Sequence, residues 1–220
     1  MTVALICILA LLGSVSQALE GKDSWPEQCP VPGRYTDIPD GFWAKKAIAD
    51  LTDLKIMDGF QDCTFRPNRI VSRAEMAALL VRAKGLKLEP AKEEMFEDVS
   101  SMSWSAPYVA TVVKQGYMIG YPDRTFRPKG IVTRAEAAIT IARAFGLKIE
   151  QCETSVFPDV PGNHWACDAI GACEKAGLLD YLGKKSFDPE GGLPRVEAAE
   201  IFSRIPVIKQ KIEELRKSGG

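Results

Sequence analysis

Three arginines, Arg73, Arg134 and Arg195, stand at intervals of 61 residues, and each is followed two positions later by a glutamate, Glu75, Glu136 or Glu197. A guanidinium just inside a helix start suits an anion, because its planar fork matches a carboxylate in a bidentate pair and the helix dipole and free backbone N–H groups favour the same charge. The glutamates point to a different task. In Ser72-Arg73-Ala74-Glu75 and Thr133-Arg134-Ala135-Glu136 the hydroxyl and the carboxylate three residues later form a capping box, each satisfying an N–H that the helix start leaves free. Gly192-Leu193-Pro194-Arg195-Val196-Glu197 is a degraded third copy. Its proline fits a first turn but supplies no capping hydroxyl.

Catalysis needs a distinct pair of carboxylates or a nucleophile beside a base. Every Asp or Glu placed on a motif here recurs threefold, and the lone His164 has no matching Ser or Cys motif. No catalytic residue is assigned. With one histidine and no CxxC spacing, no metal ligand is assigned either, and nothing calls for a cofactor.

The elements that hold these residues repeat with them. Each unit opens on an aromatic, an Asp two residues on and a Trp six beyond it: Tyr35, Asp37 and Trp43; Phe96, Asp98 and Trp104; Phe157, Asp159 and Trp165. Apolar residues spaced by three and four follow, as in Ala44, Ala47, Ile48, Leu51 and Leu54, which is a one-faced helix. A turn with Gly59 or Gly120 leads into Thr64-Phe65-Arg66-Pro67 or Thr125-Phe126-Arg127-Pro128, a loop with a short extended piece. The third copy keeps Phe187 and Pro189 but has Tyr181 in place of the glycine. The arginine helix comes next, with Gly85 or Gly146 as its stop. Asp37, Asp98 and Asp159 read as helix caps, Phe65, Phe126 and Phe187 as core, and His164 as part of its loop.

A formal net charge of −1 argues against a nucleic-acid partner, which a strongly basic face would meet. The apolar run from Val3 to Leu12 followed by Ser16-Gln17-Ala18 reads as an export signal cleaved after Ala18. The alternative, an uncleaved anchor, meets charges from Glu20 onward, before the roughly 20 apolar residues a span needs, so no stable membrane span is expected after cleavage. Removing the signal leaves Cys29, Cys63, Cys152, Cys167 and Cys173, an odd count that requires at least one free or intermolecular thiol. Cys167 and Cys173 fall on different faces of one helix, and Cys152 can reach either from the preceding linker. The expected divisions are a signal at 1–18, an extended leader at 19–34, repeats at 35–90, 91–150 and 151–206, and an amphipathic terminal helix at 207–220 carrying Ile208, Ile212 and Leu215.

The aromatic-x-Asp-Val openings before Trp, the Gly-Tyr-Pro-Asp-x-Thr-Phe-Arg-Pro loop and the Thr-Arg-Ala-Glu motif together resemble the S-layer homology family, and triplication makes the match more specific than any single motif. The resemblance implies an all-α fold: three tandem helix-loop-helix repeats forming a pseudo-threefold bundle, a single-chain pseudo-trimer with grooves between neighbouring repeats. It also implies an exported, non-catalytic anchoring module at the cell wall, cell surface or periplasm. Such a module binds anionic, for instance pyruvylated, wall polysaccharide or a peptidoglycan-linked polymer. By the same resemblance Arg73, Arg134, Arg195, Trp43, Trp104, Trp165, Gly59 and Gly120 are candidate ligand contacts, although the tryptophans equally suit core packing and the arginines could form inter-repeat salt bridges. Two grooves, centred on Arg73 and Arg134, are expected to be competent, and one at Arg195 weakened. The alternatives are an envelope tethering component acting through protein contacts, with the terminal helix recruiting a partner, and a wall hydrolase.

Overall fold

The computed structural model of this chain describes residues 35–218 except 92–94, 156 and 184. The expected signal and leader lie outside the described residues. Each repeat contributes two helices: α1 (Lys45–Asp53) and α2 (Arg73–Lys84), α3 (Ala106–Lys114) and α4 (Arg134–Phe145), α5 (Cys167–Lys175) and α6 (Arg195–Arg204); α7 (Pro206–Ser218) follows.

The capping boxes form as the sequence requires. Glu75 N–H donates to Ser72 Oγ at 3.3 Å and Ser72 N–H to Glu75 Oε2 at 2.8 Å; in α4 the same pair of bonds joins Thr133 and Glu136 at 3.1 and 2.9 Å. Gly85 and Gly146 end their helices with φ of 62° and 64°, the left-handed conformation glycine adopts without steric cost. Between cap and stop, α2 is buried nearly all round, from Met76 and Leu80 to Ala78 and Leu79. A helix apolar on every side belongs in the middle of a fold.

Its neighbours come from other repeats. Helix α2 packs on α3, α4 on α5, and α6 back on α1, so each one-faced first helix covers its apolar side, such as Val109 and Val112 in α3, against the second helix of the repeat before it. The chain is therefore a closed ring of three units. Around the axis, Val71 N–H donates to Leu193 O, Leu193 N–H to Val132 O and Val132 N–H to Val71 O, at 2.9, 2.8 and 3.0 Å. Positions 71, 132 and 193 are equivalent in the 61-residue register, so these three bonds form a triangle of short extended segments with no free edge.

The loops are pinned by residues that were expected to cap helices. Asp37 accepts from Phe65 N–H and Arg66 N–H at 2.7 Å each, Asp98 from Phe126 and Arg127 N–H at 2.8 and 2.7 Å, and Asp159 from Phe187 and Asp188 N–H. Arg66, Arg127 and Asp188 have φ of 54–56°, a conformation that strains a side-chain-bearing residue, and the paired carboxylate bonds hold it. Behind them Tyr35, Phe96 and Phe157 pack on the buried Phe65, Phe126 and Phe187 at 5.3, 5.5 and 5.4 Å.

Helix α7 closes the last joint. Ile208 and Ile212 are buried, Arg216 donates to both carboxylate oxygens of Asp50 in α1, and Lys211 reaches Ala83 O at 3.1 Å. Its apolar side is thus occupied within the chain, with only Leu215 of the three predicted positions left exposed. Cys152 is disulfide-bonded to Cys167, fastening the linker to α5. Cys63 is also disulfide-bonded, its partner lying outside the described residues, and Cys173 is a buried free thiol. Among the described residues no helix is long and apolar enough to cross a membrane.

Candidate functional site

The arginine helices cross from one repeat to the next, and this decides where each arginine sits. Arg73 N–H and Ala74 N–H donate to Gly130 O and Pro128 O; Arg134 and Ala135 donate to Gly191 O and Pro189 O; Arg195 and Val196 donate to Arg69 O and Pro67 O. The first N–H groups of each helix, which would otherwise face an anion, are satisfied by the loop of the following repeat. That overturns the expectation of free N–H donors beside each guanidinium.

Two of the guanidiniums are committed in the same way. Arg73, 8% exposed, donates from Nε to Phe126 O at 2.7 Å and from Nη2 to Ile119 O at 2.8 Å. Arg195, 5% exposed, makes the equivalent bonds to Phe65 O and Asp58 O at 2.8 and 2.6 Å. Both lie over aromatic rings, Arg73 above Tyr121 and Phe126 and Arg195 above Phe60 and Phe65. Burial pulls the Arg195 guanidinium down to about 10, because desolvation disfavours its charged form.

Arg134 is the odd one. It forms a bidentate pair with Glu197, Nε to Oε2 at 2.8 Å and Nη2 to Oε1 at 2.6 Å, and reaches Asp188 with Nη1 at 3.0 Å. The hydrogen bonds to Glu197 raise its pKa. Glu197 is available because Pro194 has no N–H for it to accept from, so the capping duty of Glu75 and Glu136 does not exist in α6.

The loop beside Arg134 differs as well. Tyr181, at the position of Gly59 and Gly120, stacks on Trp43 with ring centroids 5.9 Å apart and planes 18° from parallel, and its hydroxyl donates to Glu197 Oε2 at 3.1 Å. Burial and the neighbouring carboxylate of Glu197 push the phenol well above its ordinary range.

At the joint of repeats 1 and 2 the corresponding space is open. A cleft of about 530 Å³ is walled by Gly59 and Phe60 of the first repeat, Glu75, Leu79 and Arg82 of α2, Trp104 of the second repeat and Arg195 of the third. All three repeats thus supply one predicted contact residue each. A second cleft of about 500 Å³ adjoins it, sharing Glu75 and Trp104. At the joint of repeats 2 and 3 the register places Gly120, Arg73 and Trp165 in the same relation. Around Trp43 the remaining hollow, about 520 Å³, is walled instead by α7 and by charged residues including Lys46, Asp50, Glu200 and Arg204.

The three indoles are 55%, 59% and 59% exposed, so Trp43, Trp104 and Trp165 are surface groups and not core. Gly59 and Gly120 serve close packing: a Cβ would fall 2.1 Å from Tyr35 Cε1 or Phe96 Cε1, and neither residue has positive φ. Glu75 is held below its ordinary range; burial alone would raise it, but Ser72 N–H and Arg69, at 2.6 Å, outweigh that. His164 accepts from Ala166 N–H through Nδ1 and faces Glu190, a loop role. Among the described residues no group of three His, Cys, Asp or Glu could hold a metal. Tyr181 joins the groove residues without a motif of its own, and its replacement of a repeated glycine is its one signal in the sequence.

The family model for the S-layer homology domain matches residues 34–77, 96–138 and 156–199. The chain is 34% identical to a cellulosome-anchoring protein of Acetivibrio thermocellus over 136 residues, 60% of this chain and 30% of that protein. It is 31% identical to an amylopullulanase of Thermoanaerobacterium thermosulfurigenes over 173 residues, 76% of this chain and 9% of the enzyme. It is 31% identical to S-layer protein EA1 of Bacillus anthracis over 117 residues, 53% of this chain and 14% of that protein. The matched region is thus less than a third of each relative's length. Three matched units in tandem, closed into one ring, place the chain in the S-layer homology domain family.

Proposed function

We propose that this chain is a non-catalytic anchoring module of the cell envelope, holding wall polysaccharide or a peptidoglycan-linked polymer in two inter-repeat grooves. The observation that carries the reading is the cleft of about 530 Å³ that joins Gly59, the solvent-facing Trp104 and Arg195, an arrangement the 61-residue register repeats with Gly120, Trp165 and Arg73. The apolar face of a sugar ring suits an indole at the wall of a cleft of this size. The groove beside Trp104 joins Gly59, Arg195 and Trp104, and the one beside Trp165 joins Gly120, Arg73 and Trp165. The arginines shape these grooves from below. In the groove of Trp43 and Arg134 the ring of Tyr181 stands at the place of the loop glycine and covers one face of the indole.

The kinship with an anchoring protein and an S-layer protein supports the envelope location, and similarity to the amylopullulanase reaches only 9% of that enzyme. A protein partner at α7 would have to use its outer side, around Val207 and Leu215, since Ile208 and Ile212 are buried.

Co-sedimentation with purified wall sacculi tests the reading. Retention should be lost in the double variant Trp104→Ala/Trp165→Ala, with the fold intact by circular dichroism, and should survive Trp43→Ala. Unchanged retention of the double variant would sink the proposal.

A further inference from the structure

The two open joints are not chemically equal. The cleft that shares Glu75 and Trp104 with that of Gly59 is also lined by Arg69, Asp98, Ser100 and Lys129. Its acids are already answered. Asp98 accepts from two loop N–H groups, and Glu75 accepts from Ser72 and Arg69. Lys129 is exposed, and no ion pair or hydrogen bond is made by its ammonium among the described residues. Ser100 Oγ accepts from Met102 N–H at 3.3 Å, which leaves its proton to donate. An unneutralised ammonium beside a half-shared guanidinium, the Ser100 hydroxyl and an exposed indole is a site for an anionic substituent on a sugar ring.

The same positions at the other joints carry different chemistry. In the 61-residue register Arg69, Ser100, Ser103, Ser105 and Lys129 become Gly130, Pro161, His164, Ala166 and Glu190 beside Trp165. Beside Trp43 the register gives Gly191, Pro39, Phe42, Ala44 and Asn68. Glu190, facing His164 at 3.5 Å, would repel an anion where Lys129 attracts one.

We infer that the acidic group of the ligand is recognised at only one joint, by Lys129 with Arg69 and the Ser100 hydroxyl beside Trp104, while the Trp165 groove takes a neutral sugar. The inference rests on the anchoring reading above and moves its anion from the motif arginines, which donate to backbone carbonyls at Arg73 and Arg195 and to Glu197 and Asp188 at Arg134, to a lysine outside the repeat motif. The ring of the ligand lies on Trp104 and the chain continues over it into the cleft of Gly59 and Phe60, since the two clefts share that indole.

The acid is a carboxylate or a phosphate, and sacculi treated in two ways separate them. Carbodiimide and borohydride convert carboxylates to alcohols; cold hydrofluoric acid removes phosphodiesters. With the full chain, Lys129→Ala should weaken retention on native sacculi about fivefold, the upper size of one exposed charge pair, with Lys129→Arg restoring it and Glu190→Ala leaving it unchanged. On sacculi stripped of the recognised acid, wild type should fall to the level of Lys129→Ala and the substitution should add nothing. Equal retention of Lys129→Ala and wild type on native sacculi overturns the inference, and so does a loss that persists undiminished after both treatments. If the Trp104→Ala/Trp165→Ala variant loses retention while Lys129→Ala keeps it, only the anion assignment fails. If wild type is not retained at all, the anchoring reading fails and this inference with it.

Discussion

Tyr181 lies flat against Trp43, its ring centroid 5.9 Å from the indole, with its hydroxyl on Glu197. Trp104 and Glu75, the equivalents of Trp43 and Glu197, both line the open cleft of the first joint, so the tyrosine ring stands where a ligand ring has room elsewhere. Removing it should open the third groove. Tyr181→Ala, in a chain whose other three tryptophans are replaced by Phe, should raise acrylamide quenching of Trp43. It should cost about 2 kcal/mol in urea denaturation, from a ring pair and a hydrogen bond to a charged group. Quenching that stays at the starting level would show that the ring does not shield the indole.

The repeated loop glycines should tolerate nothing larger. A Cβ on Gly59 would meet Tyr35 Cε1 at 2.1 Å and Thr64 O at 2.7 Å, so Gly59→Ala should destabilise by about 2 kcal/mol or more through overpacking. Gly171, inside α5 with open space around it, should respond oppositely. Gly171→Ala should gain roughly 0.5–1 kcal/mol, since alanine loses less backbone entropy in a helix. Urea midpoints of the two variants should move in opposite directions.

The arginines should divide by partner and not by repeat. Arg73→Lys and Arg195→Lys each give up a forked contact to two backbone carbonyls that one ammonium cannot reproduce, and should cost about 2–4 kcal/mol. Arg134→Lys should cost less, because an ammonium can still pair with Glu197. Denaturation that ranked Arg195→Lys as the mildest of the three would contradict the cyclic arrangement.

Acid should act through Glu75. Its folded pKa is depressed, burial being outweighed by Ser72 and Arg69, so it contributes stability above the ordinary Glu range and loses that contribution as pH falls through the folded value. Glu75→Gln should therefore be less stable than wild type at pH 7 and should approach it below about pH 4. Parallel stability curves over that range would remove Glu75 as a source of acid sensitivity.

The free thiol offers a check on packing. Burial pushes Cys173 up to about 12, so it should resist iodoacetamide in the folded chain and react once the chain is unfolded in urea. Reaction at the unfolded rate under native conditions would contradict its placement between α5 and α4.

Much was legible without coordinates because it is local. The capping boxes at Ser72–Glu75 and Thr133–Glu136 depend on bonds spanning three residues, and the stops at Gly85 and Gly146 on one backbone conformation. The number of units and their period follow from copied strings, and Phe65, Phe126 and Phe187 proved buried as their repetition predicts. Asp37, Asp98 and Asp159 pin loops and do not cap helices as their position suggests, because their oxygens accept from N–H groups 28 and 29 residues away, beyond any local pattern.

Which arginine meets which loop belonged wholly to the tertiary structure. The sequence shows that the third repeat has diverged, with Tyr181 for glycine and Pro194 for the cap, and that points to a weakened site at Arg195. Ring closure passes each arginine into the next repeat's loop, so Arg195 serves the intact loop of repeat 1, and Arg134 meets the altered loop of repeat 3. Divergence in one repeat is paired by hydrogen bonds with the arginine of another. A string of residues records what each repeat contains, while the backbone bonds around a threefold axis decide which repeats share a groove.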